Sequence, residues 1–173
     1  MSYKKLIISL LILSLIIILP GCLGKLIPTT PSVTPPAEKA GVLYLEPADL
    51  TLTPSEDFTL ELKVTSITNL KGYSVTLSYD PTLLSLQEVT EGPFFSSKGK
   101  TFFYSKEDKG TILIDCALLG KNLSVSGEGT LATLSFTCLK AGSTSIEFSL
   151  TKTRDTLNKE IITTKRNTKL KSK

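Results

Sequence analysis

The sequence has no histidine and no tryptophan, three cysteines and a single methionine among its 173 residues. Without histidine the chain lacks the commonest general base and the commonest metal ligand. A serine nucleophile would have no imidazole to activate it, and no Gly-x-Ser-x-Gly elbow occurs. Two thiols, Cys116 and Cys138, without imidazole partners make a poor zinc site. Asp49, Glu56, Asp57, Asp80, Asp108, Asp115 and Asp155 are scattered over turns and outward faces, so nothing suggests the facing carboxylate pair of glycoside hydrolysis. These absences point away from an enzyme and away from any cofactor or metal. Charge of one sign is also lacking. The net +4 becomes +2 if residues 1–21, with Lys4 and Lys5, are removed, which is no nucleic-acid signature. Between Lys71 and Pro81 an apolar stripe at helical spacing is missing too.

What is present begins with a leader. Met1 to Lys5 is short and basic, and Leu6 to Leu19 is apolar except for Ser9 and Ser14. That is the n-region and h-region of a signal peptide. The run is shorter than the roughly 20 residues of a stable membrane span. It ends in Leu19-Pro20-Gly21-Cys22, which resembles the lipobox of prokaryotic lipoproteins. The resemblance implies cleavage before Cys22 and lipid attachment to its thiol, with several acyl chains because one holds only marginally. Residues 1–21 are therefore expected to be a lipoprotein signal peptide, with an uncleaved N-terminal anchor and ordinary secretion as the alternatives. Residues 22–40, with Pro28, Pro31, Pro35 and Pro36 among threonines, form an extended Pro/Thr-rich linker. The folded domain is expected over 41–170 and a basic tail over 171–173, all outside the cytoplasm and held at the cell surface by the lipid.

The most informative stretch is Lys71 to Pro81. Tyr73, Val75, Leu77 and Tyr79 alternate with Ser74, Thr76, Ser78 and Asp80. This is the period-2 pattern of a strand with one face in a core and one toward water. Phe58 to Val64, Thr111 to Leu118, Gly129 to Cys138 and Thr144 to Leu150 repeat it, the last with Ile146, Phe148 and Leu150 inward. Thr101 to Ser105 is extended and aromatic, and Ile161 to Leu170 supplies a last strand. Ser66 to Leu70 reads as a turn, Phe94 and Phe95 as loop anchors, and Lys106 to Gly110 as a hairpin turn. Eight or nine half-apolar strands without a convincing helix bury their inward faces only in a sandwich or a closed barrel.

Phe58 to Val64, then Leu70, Gly72 and Tyr79-Asp80-Pro81 with Leu84, then Gly129, Leu131, Ala132, Leu134 and Phe136, then Gly142 and Ile146, keep the order and spacing of a cohesin domain. The chain resembles this family over Gly41 to about Leu170. The resemblance implies an all-β fold, a nine-stranded jelly-roll-like sandwich of cohesin type, related to that of carbohydrate-binding modules. It implies a non-catalytic module whose flat sheet face binds dockerins, small calcium-loaded helical modules carried by polysaccharide-degrading enzymes and other extracellular proteins. The calcium belongs to the dockerin. Well-studied cellulosomal cohesins carry a polar amide and a carboxylate near positions Gly72 and Ser74, and this sequence has neither.

On that reading Ser74, Thr76 and Ser78 donate and accept hydrogen bonds to a protein partner. Leu113 and Ala117 supply an apolar centre, Asp115 a charged specificity element, and Phe103 an aromatic contact. The competing reading leaves the hydroxyl row as an ordinary solvated strand face and the aromatics as packing. A polysaccharide is the alternative partner, with Phe102, Phe103 and Tyr104 as its stacking row, and a structural envelope subunit is the third reading. Cys116 and Cys138 both fall on inward faces. A disulfide and two separately buried thiols satisfy the pattern equally.

Overall fold

The computed structural model describes residues 41–173; the leader, the linker and Cys22 lie outside the described residues. Eleven strands and one helical turn follow in order. They are β1 Gly41–Glu46, β2 Asp49–Leu52, β3 Asp57–Leu70, β4 Gly72–Ser78, β5 Leu84–Glu91, α1 Pro93–Ser96, β6 Thr101–Asp108, β7 Thr111–Leu118, β8 Val125–Cys138, β9 Gly142–Arg154, β10 Thr163–Arg166 and β11 Thr168–Ser172. They form two sheets, a five-stranded β10-β1-β3-β8-β5 and a six-stranded β2-β11-β9-β4-β7-β6. The architecture is the expected all-β sandwich.

Alternation builds the core. Leu60, Leu62 and Val64 of β3 and Leu134 and Phe136 of β8 are fully buried from one sheet. Val75 and Leu77 of β4 and Ile112 and Ile114 of β7 meet them from the other. Phe136 stacks on Phe58 at 5.5 Å and receives the edge of Tyr79 at 5.4 Å between centroids. Such pairs add about 0.5–1.5 kcal/mol to the burial itself. Tyr73 reaches across the sandwich, its hydroxyl donating to the Leu131 carbonyl at 2.9 Å. Phe94 and Phe95 lie on the helical turn rather than in an irregular loop. Pro93 opens that turn, and Phe95 seals the core end by stacking on Tyr73 at 5.5 Å.

Two expected turns take other forms. Ser66 and Asn69 do adopt left-handed backbone, with φ of 55° and 57°. The chain does not reverse there. β3 continues to Leu70, and the left-handed residues are absorbed as irregularities in its pairing with β8. The charged hairpin turn shrinks to Lys109-Gly110, with φ of 49° and 84°. Two positive φ values in a two-residue loop are the geometry that matches strand twist, and Gly110 adopts it without strain.

The chain ends tie the sheets together. β1 runs parallel to β10 in one sheet, and β2 runs parallel to β11 in the other. The buried Thr168 hydroxyl lies at this double crossing, 3.4 Å from the Leu45 carbonyl and 3.3 Å from that of Pro47. The basic residues near the end therefore belong to strands: Lys165 and Arg166 to β10, Lys169 and Lys171 to β11. The Arg166 guanidinium sits 4.6 Å from the centre of the Tyr44 ring, within cation–π range.

The disulfide alternative fails, and both thiols are free. Cys138 pairs in register with Leu84 at the start of β5, whereas the Cys116 thiol points at the Glu91 carboxylate at its end. Seven residues of strand separate those positions, roughly 20 Å. A disulfide needs Cα atoms within about 7 Å.

Candidate protein-binding face

Four adjacent strands, β9-β4-β7-β6, turn one continuous face outward. β4 buries Tyr73, Val75 and Leu77 and leaves Ser74, Thr76 and Ser78 half-exposed. β7 buries Ile112, Ile114, Cys116 and Leu118 and leaves Leu113, Asp115 and Ala117 half-exposed. The register sets these residues in four rows. Phe102, Ala117, Gly72 and Arg154 form the first, and Tyr104, Asp115, Ser74 and Lys152 the second. Lys106, Leu113, Thr76 and Leu150 form the third, and Asp108, Thr111, Ser78 and Glu147 the fourth. At sheet spacings the face spans about 14 Å across the strands and about 20 Å along them.

Six of the seven expected contact residues share this face, and Phe103 does not. The two-residue turn at Lys109-Gly110 fixes Asp108 opposite Thr111, and counting back puts Phe103 opposite the inward Cys116. Phe103 packs against the core. Its neighbours Phe102 and Tyr104 point outward, 55% and 44% exposed. The hairpin turn and the alternation of β7 were both visible in the sequence, so this exchange was readable there.

Leu150 is the second correction. Alternation from Ile146 places it inward with Phe148. The β4–β9 pairing instead slips between Thr76 and Leu77, which face Leu150 and Phe148 respectively. Ser149 is the extra residue, and the bulge reverses the side on which all later residues fall. Phe148 packs inward, while Leu150 is 46% exposed. The same slip brings Lys152 and Arg154 onto the face. No residue in the sequence marks that bulge.

Apolar and charged groups alternate across the face. Phe102, Ala117, Leu113 and Leu150 provide apolar surface. Asp115 and Lys152 stand two strands apart, about 10 Å between backbones, and are not paired. The ion pairs among the described residues join Lys63 to Glu46 at 2.6 Å and to Glu61 at 3.2 Å, on the other sheet. Asp115, Lys152 and Arg154 thus form no ion pair among the described residues. At the first row the small residues Gly72 and Ala117 lie between Phe102 and Arg154 and open a hollow of about 460 Å³. Below the face, burial and the neighbouring Glu91 carboxylate push the Cys116 thiol up to about 12. Burial raises the Tyr73 phenol above its usual value as well. Both groups are neutral packing elements. No cluster of metal-ligating side chains occurs among the described residues.

The cohesin-domain family profile matches residues 48–171, a span that contains every residue of the face. The chain belongs to the cohesin family. Solved cohesins share its fold. A non-cellulosomal cohesin from the hyperthermophilic archaeon Archaeoglobus fulgidus superposes with a TM-score of 0.66 at 16% identity, over 78% of this chain and 91% of that one. A type II cohesin domain from the cellulosome of Acetivibrio cellulolyticus gives 0.68 at 18% identity, over 76% and 95%. A chain of the type I cohesin–dockerin complex Coh-OlpA–Doc918 from Clostridium thermocellum gives 0.66 at 14% identity, over 78% and 99%. No curated protein matches significantly. In this cohesin, then, the aromatic, apolar and hydroxyl groups of four strands converge on one side of the six-stranded sheet.

Proposed function

We propose that this cohesin is a non-catalytic receptor that holds a dockerin-bearing protein at the outer surface of the cell. Family membership supports the partner class. The observation that carries the reading is the outward face of β9-β4-β7-β6, with an apolar centre, a hydroxyl row and charges without ion-pair partners, the composition of a protein interface rather than of a solvated sheet. Ser74, Thr76 and Ser78 are the hydrogen-bonding row. Leu113, Ala117, Leu150 and Phe102 are the apolar contacts, and Asp115 is a charged selector. The leader, Cys22 and the Pro/Thr linker fit a lipid anchor with a spacer, which positions the receptor to retain partners such as polysaccharide-degrading enzymes.

The test is titration calorimetry of the full chain in detergent micelles against dockerins encoded by the same organism, in calcium and then in chelator. Calcium-dependent binding that Leu113→Asp abolishes without unfolding the domain supports the reading. A folded chain that binds none of those dockerins in calcium refutes it. One observation favours a second reading: Phe102 and Tyr104 lie on the same side of β6, about 7 Å apart, as a sugar-stacking pair would. Retention on an insoluble polysaccharide that is lost in Phe102→Ala with Tyr104→Ala would establish it.

A further inference from the structure

The hollow at the first row differs from the rest of the face in shape and chemistry. Across four strands the side chains run large, small, none, large: Phe102, Ala117, Gly72, Arg154. The result is a saddle with mostly apolar lining and a wall on each side. Gly72 keeps it open. A Cβ there would lie 3.0 Å from the Cys116 carbonyl and 3.3 Å from the Ala117 methyl. Over Gly72 and Ala117 the floor offers no side-chain polar group, because the backbone there is committed to the sheet; the polar lining of Ser74, Asp115, Thr156 and Asn158 stands around it. An apolar group loses nothing by entering.

The rim is charged unevenly. Lys152 and Arg154 stand on the β9 side, Lys71 reaches past the end of β7, and Asp115 lines the β7 side. Asp155 is nearby, but its carboxylate accepts from the Leu157 and Lys159 amides at 2.8 Å each. Lys71 donates to the Gly120 carbonyl, and Arg154 reaches the Asn158 carbonyl at 3.4 Å. None of the three cations forms an ion pair among the described residues. The β9 side of the rim, with Lys152 and Arg154, attracts a carboxylate on the partner and repels a lysine or arginine there.

We infer that the hollow over Gly72 is the specificity pocket of the face: it takes one large apolar side chain of the partner, with a partner carboxylate beside it on Lys152 and Arg154. The inference rests on the receptor reading above and adds the sequence feature that decides which partner is held. The pocket is open and shallow, so the rest of the contact must come from a macromolecule that covers the neighbouring rows.

A display library tests it. A calcium-loaded dockerin scaffold is randomised on its contact helices and selected against the full chain in detergent micelles. Selection is expected to enrich Leu, Ile, Met or Phe at one position, with Asp or Glu within one helical turn. Ala117→Leu fills the hollow from a surface position. It should weaken the selected binders about tenfold or more and shift a fresh selection to Ala, Ser or Gly. Lys152→Glu with Arg154→Glu should exchange the enriched acid for Lys or Arg. Binders that lack the apolar–acidic pair, or that ignore these substitutions in chains shown to be folded by circular dichroism, overturn the pocket and leave the receptor standing. A calcium-loaded library that yields no binders to the folded chain overturns the receptor reading and the pocket with it.

Discussion

Tyr73 and Thr76 lie three residues apart on β4 and face opposite ways, so paired substitutions separate stability from binding. Tyr73 is 4% exposed, its ring stacked on Phe95 and its hydroxyl 2.9 Å from the Leu131 carbonyl. Tyr73→Phe keeps the ring and deletes one buried donor. That carbonyl also accepts from the Gly92 amide at 2.9 Å, so it is not left unpartnered. The loss should therefore be that of an ordinary net hydrogen bond, about 1 kcal/mol, and not the larger cost of an orphaned group. For a domain of this size that lowers Tm by about 3–5 °C. Thr76→Arg places a long cation between Leu113 and Leu150 on the outer face. It should change stability by less than about 1 kcal/mol and remove dockerin binding. Thermal and urea melts followed by circular dichroism read the first effect, and titration calorimetry in calcium reads the second. If Tyr73→Phe abolishes binding with stability unchanged, or Thr76→Arg unfolds the domain, the faces of β4 are assigned the wrong way round. A one-residue slip has that consequence for every residue of the strand, and the proposed interface would fall with it.

Three further outcomes follow from other parts of the molecule. Cys116 holds its proton in the folded state up to about pH 12, whereas an unfolded thiol loses it near pH 8.5. Stability from this group is thus fully present below about pH 8.5 and declines as pH rises toward 12; Cys116→Ala should flatten that decline in urea melts at pH 8, 10 and 11. Gly110→Ala forces an L-residue to φ +84° with its Cβ 2.6 Å from the Tyr79 carbonyl oxygen, and should cost about 1–3 kcal/mol in the same melts. Cys22→Ser should move the protein from the detergent phase to the aqueous phase on Triton X-114 partitioning of cell extracts, by removing the proposed lipid attachment.

The sandwich was legible because its strands alternate strictly. Tyr73-Val75-Leu77 and Ile112-Ile114-Cys116 announce a core face, and the residues between them announce the outer one. The illegible parts are those where the backbone breaks its own period. Ser149 adds one residue to β9 and turns Leu150, Lys152 and Arg154 outward, and serine in a strand gives no warning of it. Ser66 and Asn69 carry the left-handed backbone of a turn, yet long-range pairing with β8 keeps β3 running through them. The expectation for Phe103 failed differently. The aromatic run Phe102-Phe103-Tyr104 is uniformly apolar or aromatic, so only its register against Cys116 tells the faces apart. Strand adjacency across the sandwich, which decided the fate of the two thiols, is a property of topology and is not written in local pattern.

The double crossing at the chain ends has a mechanical meaning. β1, the first of the described strands, is held on both sides, by β10 through residues 41–44 and by β3 through residues 42–46. A pull on Gly41 directed along β1 strains those hydrogen bonds in shear, all at once, instead of peeling them one by one. Thr168 adds a catch where β1 gives way to β2, because its hydroxyl grips the carbonyls on either side of Glu46. Load taken up by the outer face of one sheet would thus leave the molecule through a strand of the other that is held on both sides, as suits the proposed tether.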